Sequence, residues 1–127
     1  MDLIKRKFAI SAGDLGDCFV YETKFKDYVF DNIRIYRRVG EICFTDGGYA
    51  VSYLDRFVPN WREDGTVEKI CKRYGCKLKS DNEEIQASHD YELIQAILAI
   101  YAWIEFRDWL YYDQIEEKRG IMHDKGE

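Results

Sequence analysis

The chain alternates clearly over residues 18–25, where Phe19, Tyr21, Thr23 and Phe25 fall on one side and Val20, Glu22 and Lys24 on the other. A period of two carried by aromatic and branched residues predicts a strand. Residues 33–38 repeat it, with Ile33, Ile35 and Arg37 opposite Arg34, Tyr36 and Arg38. Residues 41–45 form a third run, separated from the second by Val39-Gly40, which predicts a hairpin. Val is unusual at the first position of such a turn, so a longer loop fits as well.

After Asp46-Gly47-Gly48 the period changes. Val51, Leu54 and Phe57 share a face and predict a short helix over Tyr49–Phe57, broken by Pro59-Asn60. A second short helix is expected over 66–74, capped by Asp64 or Thr66 and stopped by Gly75. Residues 76–79 and 84–87 read as two short strands around a polar turn. Residues 3–10 are read as a first short helix, followed by a Gly- and Asp-rich loop to residue 16.

The strongest signal is residues 91–112, where only Glu92, Gln95, Glu105, Arg107 and Asp108 interrupt apolar or aromatic positions. This predicts one long helix, entered through Ser88-His89-Asp90. Ile94, Ile97, Tyr101, Ile104 and Asp108 run along one face, and Ile100, Trp103, Phe106 and Leu110 along another. A helix apolar on more than one face must be covered on several sides, so the second stripe needs the short helices or another molecule. The elements make one α+β domain over residues 1–127: an antiparallel sheet of three to five strands, two short helices and one long C-terminal helix. Residues 118–127 read as a frayed charged tail.

Composition narrows the class. The longest charge-free run of the long helix, residues 93–104, is well short of the roughly 20 residues a membrane span needs. The first seven residues contain no apolar run, so no leader is expected, and Cys18, Cys43, Cys71 and Cys76 are scattered singly, which fits reduced thiols in a cytoplasmic protein. Net charge is −5, unevenly placed. Residues 1–40 hold eight Lys/Arg against six Asp/Glu, and residues 81–127 hold four against twelve. Acidic residues concentrated with the aromatic helix suit a basic protein surface better than nucleic acid; the plainer account is a solvated face.

Candidate chemistry is sparse. Asp31 and Asp46 flank the predicted hairpin and are the carboxylates that a divalent cation would use, with Glu41 at the far end. The expected role is instead to cap turns. Gly47-Gly48 before a helix suggests a phosphate seat but lacks the rest of a P-loop. Arg34, Arg37, Arg38, Lys24 and Lys26, with Tyr21 and Tyr36, form a basic and aromatic zone that could stack bases, or else pair internally. Cys71 and Cys76 with His89 have the wrong spacing for zinc, and His89 or His123 beside a cysteine makes no convincing nucleophile pair. No catalytic set, metal or cofactor is expected.

Four motifs occur in order: Asp31-x-Ile33-x-Ile35-Tyr36, Phe44-Thr45-Asp46-Gly47-Gly48-Tyr49, Ile70 with Tyr74-Gly75-x-x-Leu78, and Leu93-Ile94-Gln95-Ala96-Ile97-Leu98. In this the chain resembles the domain-of-unknown-function family numbered 1828, found in bacteria and mobile elements, over roughly residues 23–101. The family's Thr-Pro-Phe is here Thr23-Lys24-Phe25, and the second Asp of its Thr-Asp-Asp-Gly is Gly47. The resemblance implies the fold pattern and no settled activity. Separately, analogy with small acidic proteins of mobile elements gives the expectation of an inhibitor of host defence, anti-CRISPR-like, at work in the host cytoplasm. The expected function is a non-enzymatic module that binds a protein partner or forms a homodimer through Trp103, Phe106, Trp109, Tyr111 and Tyr112. The alternative is a metal-dependent nucleic-acid processor or nucleic-acid binder at Asp31, Asp46, Gly47 and the arginines.

Overall fold

The computed structural model describes residues 3–12, 16–27 and 30–118, with side chains through Arg107 except at Ala12. The fold is α+β. Six antiparallel strands form one sheet in the order β1-β2-β3-β4-β6-β5. They are β1 (Ile4–Ala12), β2 (Gly16–Lys26), β3 (Asn32–Arg38), β4 (Phe44–Thr45), β5 (Lys77–Leu78) and β6 (Ile85–Ala87). Helices α1 (Tyr49–Phe57), α2 (Trp61–Asp64) and α3 (Thr66–Arg73) lie between β4 and β5, and α4 (Asp90–Lys118) ends the described chain.

The N-terminal segment corrects the helix expected over residues 3–10. It is a strand paired along β2, from Ile4 opposite Thr23 to Ala12 opposite Gly16. A bulge between Ile4 and Arg6 hides its alternation. The bulge sends Ile4 to the main core, while Phe8 and Ile10 pack on the opposite face against Cys18, Val20 and Tyr36. Arg6 also occupies that face, its guanidinium 4.7 Å from the Phe8 ring centre. A charged side chain in an apolar row breaks the pattern that marks a strand. Residues 13–15 lie outside the described part.

The third predicted strand is also shorter than expected. Only Tyr36 pairs with Thr45, so residues 39–43 form the link and β3 runs on past β4 toward its own N-terminal end. The sheet thus has six strands rather than three to five, and there are three short helices rather than two. The added helix, α2, follows Asn60 in a left-handed conformation at φ 61° and buries Trp61. The indole N–H of Trp61 donates to the Asp55 carboxylate at 2.8 Å, so its polar atom is satisfied where the ring is covered.

Helix α4 supplies the spine. Leu93, Ile94, Ala96, Ile97, Ile100, Tyr101 and Ile104 are all buried among Ile33, Ile35, Leu54, Val67 and Ile85. The first predicted stripe is therefore core from Ile94 to Ile104, and so is Ile100 from the second, while Phe106 is exposed and the side chains of Asp108 and Leu110 lie outside the described residues. The buried positions are covered because α1 and α3 pack against α4 beside the sheet. Among the described side chains of α4, full burial ends at Ile104. No described helix is long and apolar enough to cross a membrane. The cysteines are free, with Cys18, Cys71 and Cys76 buried. Residues 119–127, which include most of the predicted tail and His123, lie outside the described part.

Candidate functional site

Asp46 follows β4 and faces inward, 2 % exposed. Its Oδ1 accepts the N–H of Gly48 at 3.0 Å and of Ile85 at 2.9 Å, and its Oδ2 accepts the N–H of Ala50 at 2.9 Å. Its own N–H donates to the Ile85 carbonyl at 3.1 Å. One side chain thus caps α1 and ties it to the start of β6. Burial pushes the carboxyl above the ordinary range, against the opposing pull of the three amide donors. Both oxygens are committed, which is the turn-capping role. The same bonds fill the N-terminus of α1 with the protein's own carboxylate, at the place where Gly47-Gly48 suggested a phosphate.

The chain turns here through Gly47 at φ 71°. A Cβ at Gly47 would stand 3.1 Å from the Tyr36 ring. Gly47→Ala should therefore lower stability by about 1 to 2 kcal/mol through backbone strain and ring displacement, read as a reduced urea midpoint with an unchanged slope.

Asp31 is exposed at the other end of β3, beyond a turn in which its N–H donates to the Asp27 carboxylate at 2.9 Å. Asp31 and Asp46 border one cavity of about 420 Å³, along the stretch of β3 that runs past β4. Glu22, Asp27 and Arg34 join them, as do Tyr36 and Tyr49. Ile97 and Tyr101 of α4 form its inner wall. Tyr36 and Tyr49 stack with ring centres 6.4 Å apart, and the Tyr53 ring meets Tyr101 edge-on at 5.5 Å. Burial, and then the neighbouring Tyr49 phenol, pushes the Tyr36 hydroxyl well above its ordinary range. Burial, and then the Asp46 charge, does the same to Tyr101.

Not every charge around the cavity is available. Glu22 takes hydrogen bonds from Asn32 at 2.6 Å and Arg6 at 2.8 Å, with Arg34 at 3.7 Å. These partners, Asn32 first, hold its pKa below the usual carboxylate value. Among the described residues no group of three or more His, Cys, Asp or Glu is placed to hold a metal ion.

The basic zone divides as strand alternation requires. Arg37 turns to the Tyr21 hydroxyl at 3.3 Å and the Glu41 carbonyl at 3.1 Å. Arg38 points to the other face and grips Glu84 with two hydrogen bonds of 3.2 and 2.8 Å. Lys26 donates to Asn32 at 2.7 Å. Arg34, Arg37 and Arg38 therefore do not form one surface, and much of their charge is used internally. Cys71 and Cys76 are pushed up to about 11 and about 12, mainly by burial, so both thiols stay protonated. His89 is exposed beside Glu92, away from any thiolate role.

Comparison with protein-family models, curated proteins and solved structures gave no match to this chain.

The aromatic helix residues separate along α4. Trp103 is half-buried against the core, and the Arg107 guanidinium lies 5.1 Å from its ring centre. Phe106 is 55 % exposed. The side chains of Trp109, Tyr111 and Tyr112 lie outside the described residues, although the helical backbone carries them. The cavity residues Glu22, Asp27, Tyr49 and Tyr101 escaped the sequence reading. Asp27 and Asp31, four apart around a turn before an alternating strand, were the signal available.

Proposed function

We propose that this chain is a non-enzymatic binding module that docks a protein with a basic surface through the second half of α4. Phe106 carries the reading. Single exposed apolar residues are ordinary on protein surfaces. Phe106, however, follows the last fully buried position, Ile104, and the helix continues through Trp109, Tyr111 and Tyr112. Five acidic residues, Glu105, Asp108, Asp113, Glu116 and Glu117, lie in the same half against Arg107 and Lys118. Aromatic anchors within acidic surroundings favour a partner that brings cationic groups to an apolar patch. A cytoplasmic inhibitor of host defence, by analogy with small acidic proteins of mobile elements, is one setting that needs no catalytic centre.

Trp103 is a poor test position because it packs on the core. Phe106→Glu changes only an exposed side chain. Native-host proteins captured by wild type and cross-linked to residues 105–118 should be held at least tenfold more weakly by Phe106→Glu, with the melting temperature unchanged. A partner retained equally by both proteins, or cross-links confined to other elements, rejects the reading. Light scattering that shows a dimer dissociated by Phe106→Glu would replace a foreign partner with a second copy.

A further inference from the structure

We propose that the cavity between β3 and α4 is a binding site for an organic cation, the guanidinium or ammonium end of a basic side chain or a polyamine. The charge sets the sign: Asp27 and Asp31 bring carboxylates to it beside Glu22 and Asp46, whose oxygens are taken up by Arg6, Asn32 and backbone amides, and the guanidinium at its border is Arg34. Arg34 is itself turned toward Glu22 at 3.7 Å and the Phe8 ring at 5.5 Å.

A second observation points to a ligand. Tyr101 is 5 % exposed, yet its hydroxyl makes no hydrogen bond to any described residue. Among those residues no side-chain nitrogen or oxygen is both fully enclosed and unpartnered. The Tyr101 hydroxyl is therefore reached from the cavity it lines, a buried acceptor waiting for a donor. Buried polar groups are nearly always hydrogen-bonded in folded proteins, so an open one inside a cavity marks where a donor belongs.

The remaining walls suit the same ligand. The Asp31 carboxylate stands exposed at the mouth and accepts no hydrogen bond from a described residue. Tyr49, 54 % exposed, offers a ring face over which a cation is attracted by the π-system. Ile97 closes the floor with hydrocarbon for an alkyl stem. A volume of about 420 Å³ lies within the range of small-ligand sites, which is roughly 300 to 1,000 Å³. The site stands apart from the proposed contact on α4, and neither reading needs the other.

Titration of the ¹⁵N-labelled full chain with N-acetylarginine amide, spermidine and inorganic phosphate tests the assignment. At least one cation should give saturable shifts at the amides of Asp31, Ile97 and Tyr101, and phosphate should give none there. A stronger response to the arginine amide assigns a protein side chain as ligand; a stronger response to spermidine assigns a free polyamine. Asp31→Asn and Tyr101→Phe should each weaken that binding about tenfold, the loss of one charge-assisted contact. Asp31→Asn alters an exposed residue and keeps the test decisive if Tyr101→Phe loosens the fold. Absence of cavity shifts with both cations, phosphate shifts at the same amides, or unchanged affinity in Asp31→Asn overturns the proposal.

Discussion

Asp46→Ala should be among the most destabilising single substitutions in this protein, lowering the unfolding free energy by about 3 to 6 kcal/mol. The substitution removes one acceptor group and leaves three donors, the N–H groups of Gly48, Ala50 and Ile85, without it. Each orphaned donor costs about 1 to 3 kcal/mol when water cannot replace the lost partner. Ala50 and Ile85 are 0 % exposed, so water reaches those two poorly. A domain of this kind has roughly 5 to 15 kcal/mol in total, and the variant is expected to melt far below wild type or fail to fold. Asp46→Asn keeps one oxygen for two of the donors but turns an amide N–H₂ toward Ala50, and should fall between. A urea midpoint for Asp46→Ala equal to that of wild type would show that the clamp is not needed. The same result governs how activity assays are read. Loss of any nuclease activity in Asp46→Ala would report unfolding, so the metal-dependent alternative is better tested at exposed Asp31.

The clamp also explains which parts of the molecule could be read in the sequence. Tyr49–Phe57 was legible because Val51 and Leu54 recur at helical spacing and bury the same face. The Asn32–Arg38 strand was legible because Ile33 and Ile35 point to the main core while Arg34 stays exposed. Strand β1 was not, since a bulge moves Ile4 to the other face and Arg6 occupies an apolar row through its stacking on Phe8. Trp61 was missed because its helix has four residues, too few to show a period. The aspartates were identified one by one, but not their company. Asp31 and Asp46 line one cavity with Tyr101 only because α4 packs against the sheet, which brings together residues 70 and 55 positions apart. Such sites depend on topology, which no local pattern encodes. Arg34, Arg37 and Arg38 carried the opposite lesson: adjacent in sequence, they are separated by strand alternation onto two faces.

Strand alternation also sets up the second large effect, at the Arg38–Glu84 pair. Glu84→Ala should reduce stability by about 2 to 3 kcal/mol, and wild type should lose part of that contribution in acid. Glu84 is 5 % exposed and accepts from both Arg38 nitrogens and from the Thr45 hydroxyl at 2.7 Å. Burial works to raise its pKa, and the hydrogen bonds from Arg38 and Thr45 overcome that, leaving it below the ordinary glutamate value. A carboxyl with a lowered folded-state pKa binds protons less readily when folded than when unfolded. Its contribution is therefore complete above the unfolded value near 4.5 and disappears as pH falls through the lower folded value. Glu22, lowered by Asn32 and Arg6, titrates in the same direction, though Arg6 is largely exposed and its share is small. Unfolding free energies measured from pH 6 down to pH 3 should decline for wild type, with the steepest part below 4.5. Glu84→Gln removes the titrating group while keeping an acceptor for Thr45, so its curve should start lower and fall less. Parallel curves for the two proteins would place the acid sensitivity elsewhere and reduce Arg38–Glu84 to an ordinary surface pair. The side-chain exposures of 22 % and 7 % argue against that outcome, because a pair so shielded from water loses little of its attraction to screening.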